Sequence, residues 1–289
     1  MKKTFDFIKL RKVFFILSLA YIGLGFGLFF YRGLNLDIDF TSGTMIEVYI
    51  EEARTDAEVK KITDEFDTNI HITRTGTEGK NVVLRTTKNF STEELNGIKK
   101  AFKDSFGVSA DQISSRTIEA SMGDEIRNKA ILGIVLVSIA VLIYVSMRFK
   151  FDYGVAAVVA LIHDVSFMFA TYSIFSFAVN SSFVAAILTV LGYSINDTIV
   201  IFDRVRENIK KHRSKGEYEI LNMSVSQSMT RTIFTSLTTF AVIAILFFLG
   251  VLETKTLALS MMIGTVIGTY STIFIASPLW YMIRSRKSR

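Results

Sequence analysis

The sequence predicts a polytopic α-helical membrane protein with six transmembrane helices and, between helices 1 and 2, a ferredoxin-like α+β domain of element order βαββαβ. Three observations predict it. Half of the 289 residues are hydrophobic and one is proline, and the mean hydropathy is positive at +0.38, a profile foreign to a soluble domain of this length. Five stretches of eighteen or more residues carry no charge or nearly none, and a sixth is interrupted only by His163 and Asp164. Between the first two stretches the apolar pattern switches to strand and short-helix periods.

The expected spans are 13–31, 130–147, 153–179, 183–202, 232–251 and 256–283, each long enough to cross roughly 30 Å of hydrocarbon at about 1.5 Å per residue. The first follows basic residues, as a signal peptide does. Its apolar run exceeds an h-region, and Tyr31-Arg32-Gly33 is no small-residue cleavage site, so it reads as an anchor. Eighteen of the thirty-three Lys and Arg lie in four segments: the N-terminal tail, the Arg148/Lys150 turn, the 204–231 loop and the 284–289 tail. These alternate with segments almost free of basic residues, which under the positive-inside rule puts both termini in the cytoplasm. The net charge of +6 is thus a topology signal and excludes nucleic acid as the expected partner; the partner surface is lipid. The expected organisation is 1–31 as cytoplasmic N-terminus and first span, 32–129 as extracytoplasmic domain, 130–283 as a five-helix bundle with a cytoplasmic loop at 204–231, and 284–289 as a basic tail.

The 32–129 segment holds fourteen basic and eighteen acidic residues and no cysteine, so its fold must rest on an apolar core without disulfides. Residues 44–50 alternate as a strand, 56–66 place Val59, Ile62 and Phe66 at helical spacing, and 70–75 and 81–87 are strands joined by a Gly76–Gly79 turn. Ser91 with Glu94 forms a capping box for a helix reaching Phe106, and 113–118 closes the sheet. His71 stands on a strand with no evident chemical partner. The domain reads as a rigid body or a polypeptide-contacting surface rather than a catalytic one.

Charges inside the spans point to function, because a carboxylate in hydrocarbon costs several kcal/mol unless it faces partners or water. Asp197 lies about ten ångströms of helix rise inside Asp203, with Tyr193 and Arg204 four residues before and seven after on the same face. Asp203 and Arg204 sit where the helix meets water and read either as relay members or as an anchoring pair. Arg231 opens a hydroxyl stripe, Thr232, Thr235, Ser236 and Thr239 at i, i+3, i+4 and i+7, which suits a facing helix or a hydrated path. His163-Asp164 adds a mid-span acid, and Gly264 and Gly268 mark a close helix approach; Gly23, Gly25 and Gly27 read as packing. A structural carboxylate bonding a neighbouring helix is the plain alternative for both Asp197 and Asp164. The sequence shows no metal-spaced cluster and no Gly-x-x-x-x-Gly-Lys-[Ser/Thr] loop, so no enzyme, metal or cofactor is expected and work must come from a gradient or a partner.

GYSINDTIVIFDRVREN at 192–208, QSMTRTIFTSLTTF at 227–240, GTYSTIFIASPL at 268–279 and LDIDFTSG at 36–43 closely resemble the SecF branch of the SecD/SecF family, protein-export membrane subunits of the resistance-nodulation-division superfamily. Ser42 replaces a usual glycine of the Asp-Phe-Thr-Gly-Gly element, and Phe234 replaces the asparagine of Arg-Thr-Ile-Asn-Thr-Ser. The resemblance implies pairing with SecD, assistance to preprotein movement through the SecYEG channel after the ATPase SecA has acted, and use of the proton or sodium gradient. It further implies YajC/YidC-type auxiliary subunits. The ion path it implies uses Asp197 and Arg231; Asp164, Asn196 and Asp203 are further relay members. Alternatives are a self-sufficient ion-coupled small-molecule exporter of the same superfamily, an intramembrane hydrolase on His163-Asp164, and a scaffold indifferent to neutralising Asp197.

Overall fold

A computed structural model of the chain describes residues 6–52, 54–75, 80–148 and 150–287. In chain order the elements are α1 (Arg11–Arg32), α2 (Ile38–Thr41), β1 (Gly43–Tyr49), α3 (Asp56–Thr63), β2 (His71–Thr75), β3 (Asn81–Thr86), α4 (Thr92–Phe106), a 3-10 turn (Ala110–Gln112), β4 (Ile113–Ile118), α5 (Ala120–Arg148), α6 (Phe151–Phe175), α7 (Ser181–Lys211), α8 (Glu217–Leu249) and α9 (Leu252–Ser271). A π-helical turn (Thr272–Ala276) and α10 (Ser277–Lys287) complete the chain. They divide into a small unit, Leu36–Ile131, and a helical unit made of the rest.

The small unit has a four-stranded antiparallel sheet of order β2-β3-β1-β4. Alternation on β1 and β3 puts Ile46, Val48, Val82 and Leu84 on one face, where Val59 and Ile62 of α3 and Ile98 and Phe102 of α4 complete an apolar core. Both helices begin at capping boxes, Thr55 with Glu58 and Ser91 with Glu94, each satisfying amides that the first turn leaves free. The α3 helix ends at Thr63, short of the expected Phe66. The expected turn at 76–79 lies outside the described residues, as do 1–5 and 288–289 of the basic tails.

The other sheet face is closed by α2, which the sequence patterns did not reveal. Asp37 caps it by accepting from Ile38 N at 2.8 Å, and its two buried carboxylates reach the sheet: Asp37 pairs with Arg85 at 3.0 Å and Asp39 with Arg116 at 3.2 Å. Arg85 and Arg116 flank Met45 on the neighbouring strands. Gly43, at φ +125°, abuts Thr86 O so closely that a side chain cannot fit.

Among the described residues six helices are long and apolar enough to cross a membrane, so the expected polytopic helical class with a small antiparallel sheet holds. Within the helical unit α6, α7 and α9 are the most enclosed, whereas α1, α5 and α8 present mainly apolar side chains outward, the pattern of lipid-facing or partner-facing helices. Small residues set the close approaches. A Cβ on Gly25 of α1 would overlap Ala170 of α6, and one on Gly264 of α9 would overlap Val190 of α7.

Two stretches differ from expectation. Most of 204–231 is helical, since α7 runs to Lys211 and α8 starts at Glu217. The last span is broken by the π turn, where Ser277 N–H bonds Thr272 O and Pro278 has no N–H to offer, so the register slips by one residue.

Candidate functional site

Asn180 caps α7 by accepting from Phe183 N at 3.1 Å. From there the buried positions recur at three- and four-residue steps: Phe183, Ala186, Ile187, Val190, Leu191, Ser194, Asp197, Thr198, Ile201, Val205 and Asn208. Asp197 therefore falls on the enclosed stripe. It is 4% exposed and faces the bundle rather than lipid.

On α8 the stripe read from sequence divides. Thr232 and Ser236 are buried and Thr239 is half-buried, whereas Thr235 is exposed and bonds its own helix at Arg231 O and Thr232 O, 2.9 and 3.0 Å away. Ser236 Oγ donates to Asp197 Oδ2 at 3.5 Å, a long bond, and accepts from Thr269 Oγ1 of α9 at 2.6 Å. Thr198 and Thr272 hydroxyls meet at 3.0 Å. Two buried hydroxyls beside this chain, Tyr193 Oη and Thr232 Oγ1, have no partner among the described residues, and buried polar atoms of that kind ordinarily hold water or an ion.

Arg231 is exposed, and its guanidinium has no acidic partner among the described residues. Its charge nonetheless acts on Asp197, so the two are electrostatic neighbours without an ion pair. Asn196 is exposed and points away from the bundle. Asp203 joins a different group: it pairs with Arg148 of α5 at 2.6 Å and Arg206 at 3.3 Å, while Arg204 pairs with Glu207 at 2.8 Å. These are half-exposed pairs six or more residues from Asp197, worth at most about 1 kcal/mol each.

Asp164 of α6 is fully buried. Ser194 Oγ donates to its Oδ2 at 2.5 Å, and His163 Nδ1 lies 3.1 Å from Oδ1. The serine is bonded to the acid and not to the imidazole, so a hydrolytic triad is not what this geometry builds. Gly268 stands opposite Ser194, where a Cβ would come within 3.1 Å. Sequence reasoning missed Ser194, Thr269 and Ser271 as polar partners; the one available signal was that Ser194 and Ser271 lie one helical turn from Asp197 and Gly268, with Thr269 directly after that glycine.

At the end carrying the chain termini the unit is tied by charge. Arg284 of α10 reaches Asp152 of α6 at 3.1 Å and Glu217 of α8 at 2.8 Å. Asp6 accepts from Tyr218 Oη at 2.6 and 2.7 Å and from Asn222 Nδ2 at 3.1 Å, seating Phe7 and Ile8 in the interior.

Comparison with known proteins adds three findings. The family model described as protein export membrane protein SecD/SecF, C-terminal, matches residues 97–286. The chain is 38% identical to the protein translocase subunit SecF of Dictyoglomus turgidum over 96% of this chain and 97% of that one, and 35% identical to the protein translocase subunit SecDF of Bacillus subtilis over 99% of this chain and 39% of that one. The crystal structure of SecDF, a translocon-associated membrane protein from Thermus, aligns with a TM-score of 0.88 at 30% identity, covering 100% of this chain and 39% of its own length.

Proposed function

The chain belongs to the SecD/SecF family of protein export membrane proteins, and from that premise we propose that it serves as the SecF-type subunit of a protein translocase, coupling ion movement through its helices to the passage of preprotein. Relatives matching it end to end are named as translocase subunits, which disfavours the self-sufficient exporter. Its fusion-length relatives, named SecDF, are matched over 39% of their length, which supports a SecD-type partner for the remainder, acting beside the SecYEG channel in the inner membrane. YajC/YidC-type subunits belong to the same proposed assembly, and the role is non-enzymatic.

The observation that carries this reading is Asp197: a carboxylate midway along a membrane helix, turned inward, loosely held by one hydroxyl at 3.5 Å and close to an arginine with which it is not paired. Such a group can gain a proton or a cation and, on losing it, draw Arg231 inward. One charge crossing 100 mV supplies about 2.3 kcal/mol, enough to bias two conformations by more than tenfold. Asp164 is a further relay member; Asn196, exposed, suits contact with the partner half, and Asp203 suits an anchor at the membrane surface. The strand order β2-β3-β1-β4 with two helices on one face supports the ferredoxin-like assignment of the small unit, and the basic clusters support cytoplasmic termini with that unit outside.

The test is gradient-driven export in vesicles holding the translocon, the partner subunit and this chain. Asp197→Asn should lower export to the gradient-independent level, and Asp197→Glu should retain part of it. Unchanged export by Asp197→Asn would end the coupling reading while leaving family membership intact.

A further inference from the structure

We propose that Asp164, Ser194 and Ser271 form a site for one monovalent cation, a proton or a sodium ion, separate from Asp197. This rests on the ion-coupling reading above and adds a second ion position to it. Asp164 is 0% exposed, and an ionised carboxylate stripped of water is tolerated only when its charge is balanced and its lone pairs are filled. Ser194 Oγ, from α7, donates at 2.5 Å. The Ser271 hydroxyl, from α9, faces the same carboxylate and shares its one proton between that carboxylate and Gly268 O, 3.2 Å away. These contacts fill lone pairs and bring no charge.

The charge must then come from His163 or from a bound cation. His163, on the same helix, has Nδ1 3.1 Å from Asp164, but its side chain is 9% exposed and its Nε2 has no partner among the described residues. Its ring centroid is 5.9 Å from that of Phe167 and 6.0 Å from that of Tyr270. An imidazolium here would bury an Nε2–H with nothing to accept it, a cost of about 1–3 kcal/mol or more for a charged donor. Of the other groups on the packed helices, Tyr270 of α9 is uncharged, and Asp197, one turn along α7, adds negative charge. A cation on the carboxylate therefore balances the site better than a charged histidine does.

One carboxylate and two hydroxyls are hard oxygen ligands carrying a single negative charge, which matches a proton or sodium and not a divalent ion. The backbone is arranged for it. Gly268 lets α9 come against Ser194 because a Cβ there would sit 3.1 Å from the serine Cβ, and the helix changes to π register immediately after Ser271, a feature that recurs at functional positions in helices.

The experiment uses the full chain purified with its partner subunit, in an Asp197→Asn background so that the first site is silent. Equilibrium binding of radioactive sodium is measured beside infrared difference spectra of the carboxylic-acid carbonyl band during pH titration. The expected result is one sodium bound per chain, or, without sodium binding, one carboxylic-acid band that the Asp197→Asn protein shows and that is missing once Asp164→Asn is added; adding Asp164→Asn likewise abolishes any sodium bound. Ser271→Ala, which leaves the charge in place, should weaken sodium roughly tenfold or move the titration midpoint; it carries the test if the Asp164 variant does not accumulate. Sodium binding identifies sodium and the acid band alone identifies a proton. The proposal is overturned if neither signal is present, or if neither responds to Asp164→Asn nor to Ser271→Ala, leaving an Asp164 carboxylate held by imidazolium. Because binding is read without export, this outcome is independent of whether Asp197→Asn abolishes coupling.

Discussion

At the scale of single residues, Ser42 holds a backbone conformation that suits glycine. It sits at φ +58° and ψ 171°, a conformation nearly reserved for glycine that costs other residues about 1–3 kcal/mol. Glycine's greater freedom in the unfolded chain takes back about half to one kcal/mol. Ser42→Gly should therefore stabilise the small unit by about 1 kcal/mol, read as slower amide exchange along β1; no change or faster exchange would show that the strain is relieved locally. A second residue-scale effect is electrostatic. Asp67 accepts a hydrogen bond from the Thr86 hydroxyl and one from Asn69 N at 2.9 Å, which hold its carboxyl below the usual aspartate range, with the threonine bond the larger cause. A carboxyl whose folded value is depressed contributes stability above its unfolded value and loses that contribution as pH falls through the folded one. Wild type should thus lose protection of β3 under acid faster than Asp67→Asn does, the two converging at low pH. Parallel acid profiles for the two proteins would contradict this.

At the scale of elements, what could be read from sequence depended on whether the signal was local. The capping boxes at Thr55 and Ser91 and the strand alternation were legible because they need only neighbours three residues away or a period of two. The burial of Asp197 followed from its place on the α7 stripe, whereas the split of the Thr232 to Thr239 stripe did not, because which of four hydroxyls meets a facing helix is set by that helix. The α2 clip and the π turn were illegible for the same reason: one is held by Arg85 and Arg116 from distant strands, the other by Pro278 combined with packing of Thr272 on Thr198. Close helix contact is the element-scale quantity open to test. Gly264 has no room for a Cβ because Val190 of α7 occupies it, so Gly264→Ala must separate α7 from α9 at a cost of about 1–3 kcal/mol. The expected outcome is a lower Tm in detergent for Gly264→Ala and little change for Gly192→Ala, whose Cβ would meet nothing. Equal behaviour of the two would mean that α7 and α9 are not packed through this glycine.

At the scale of the whole molecule the two units differ in what holds them. The helical unit encloses α6, α7 and α9 but leaves α1, α5 and α8 with apolar faces turned outward, the exposure of a body surrounded by lipid. The small unit is the reverse case. Its core of Ile46, Val48, Ile50, Val59, Ile62, Ile70, Val82, Leu84, Phe90, Ile98, Phe102, Val108 and Ile113 comes wholly from within residues 36–119. The α2 clip that closes the far face of the sheet is fastened by Asp37–Arg85 and Asp39–Arg116, also inside that range. With no cysteine in the chain and no metal-holding group of side chains among the described residues, stability rests on apolar burial, and a domain of this size carries roughly 0.05–0.15 kcal/mol per residue. The excised 36–119 segment should therefore be soluble and unfold cooperatively in urea, with coincident transitions in near- and far-ultraviolet circular dichroism. Phe102→Ala, which empties a fully buried ring position, should cost about 3–5 kcal/mol and take a large share of that stability away. Asp39→Asn should cost less and leave the sheet intact, since Arg116 is half exposed and regains water when its partner is neutralised. A segment that stays unfolded without the flanking helices would show that the sheet draws its order from the membrane unit, and Phe102→Ala would then be without effect on the isolated piece.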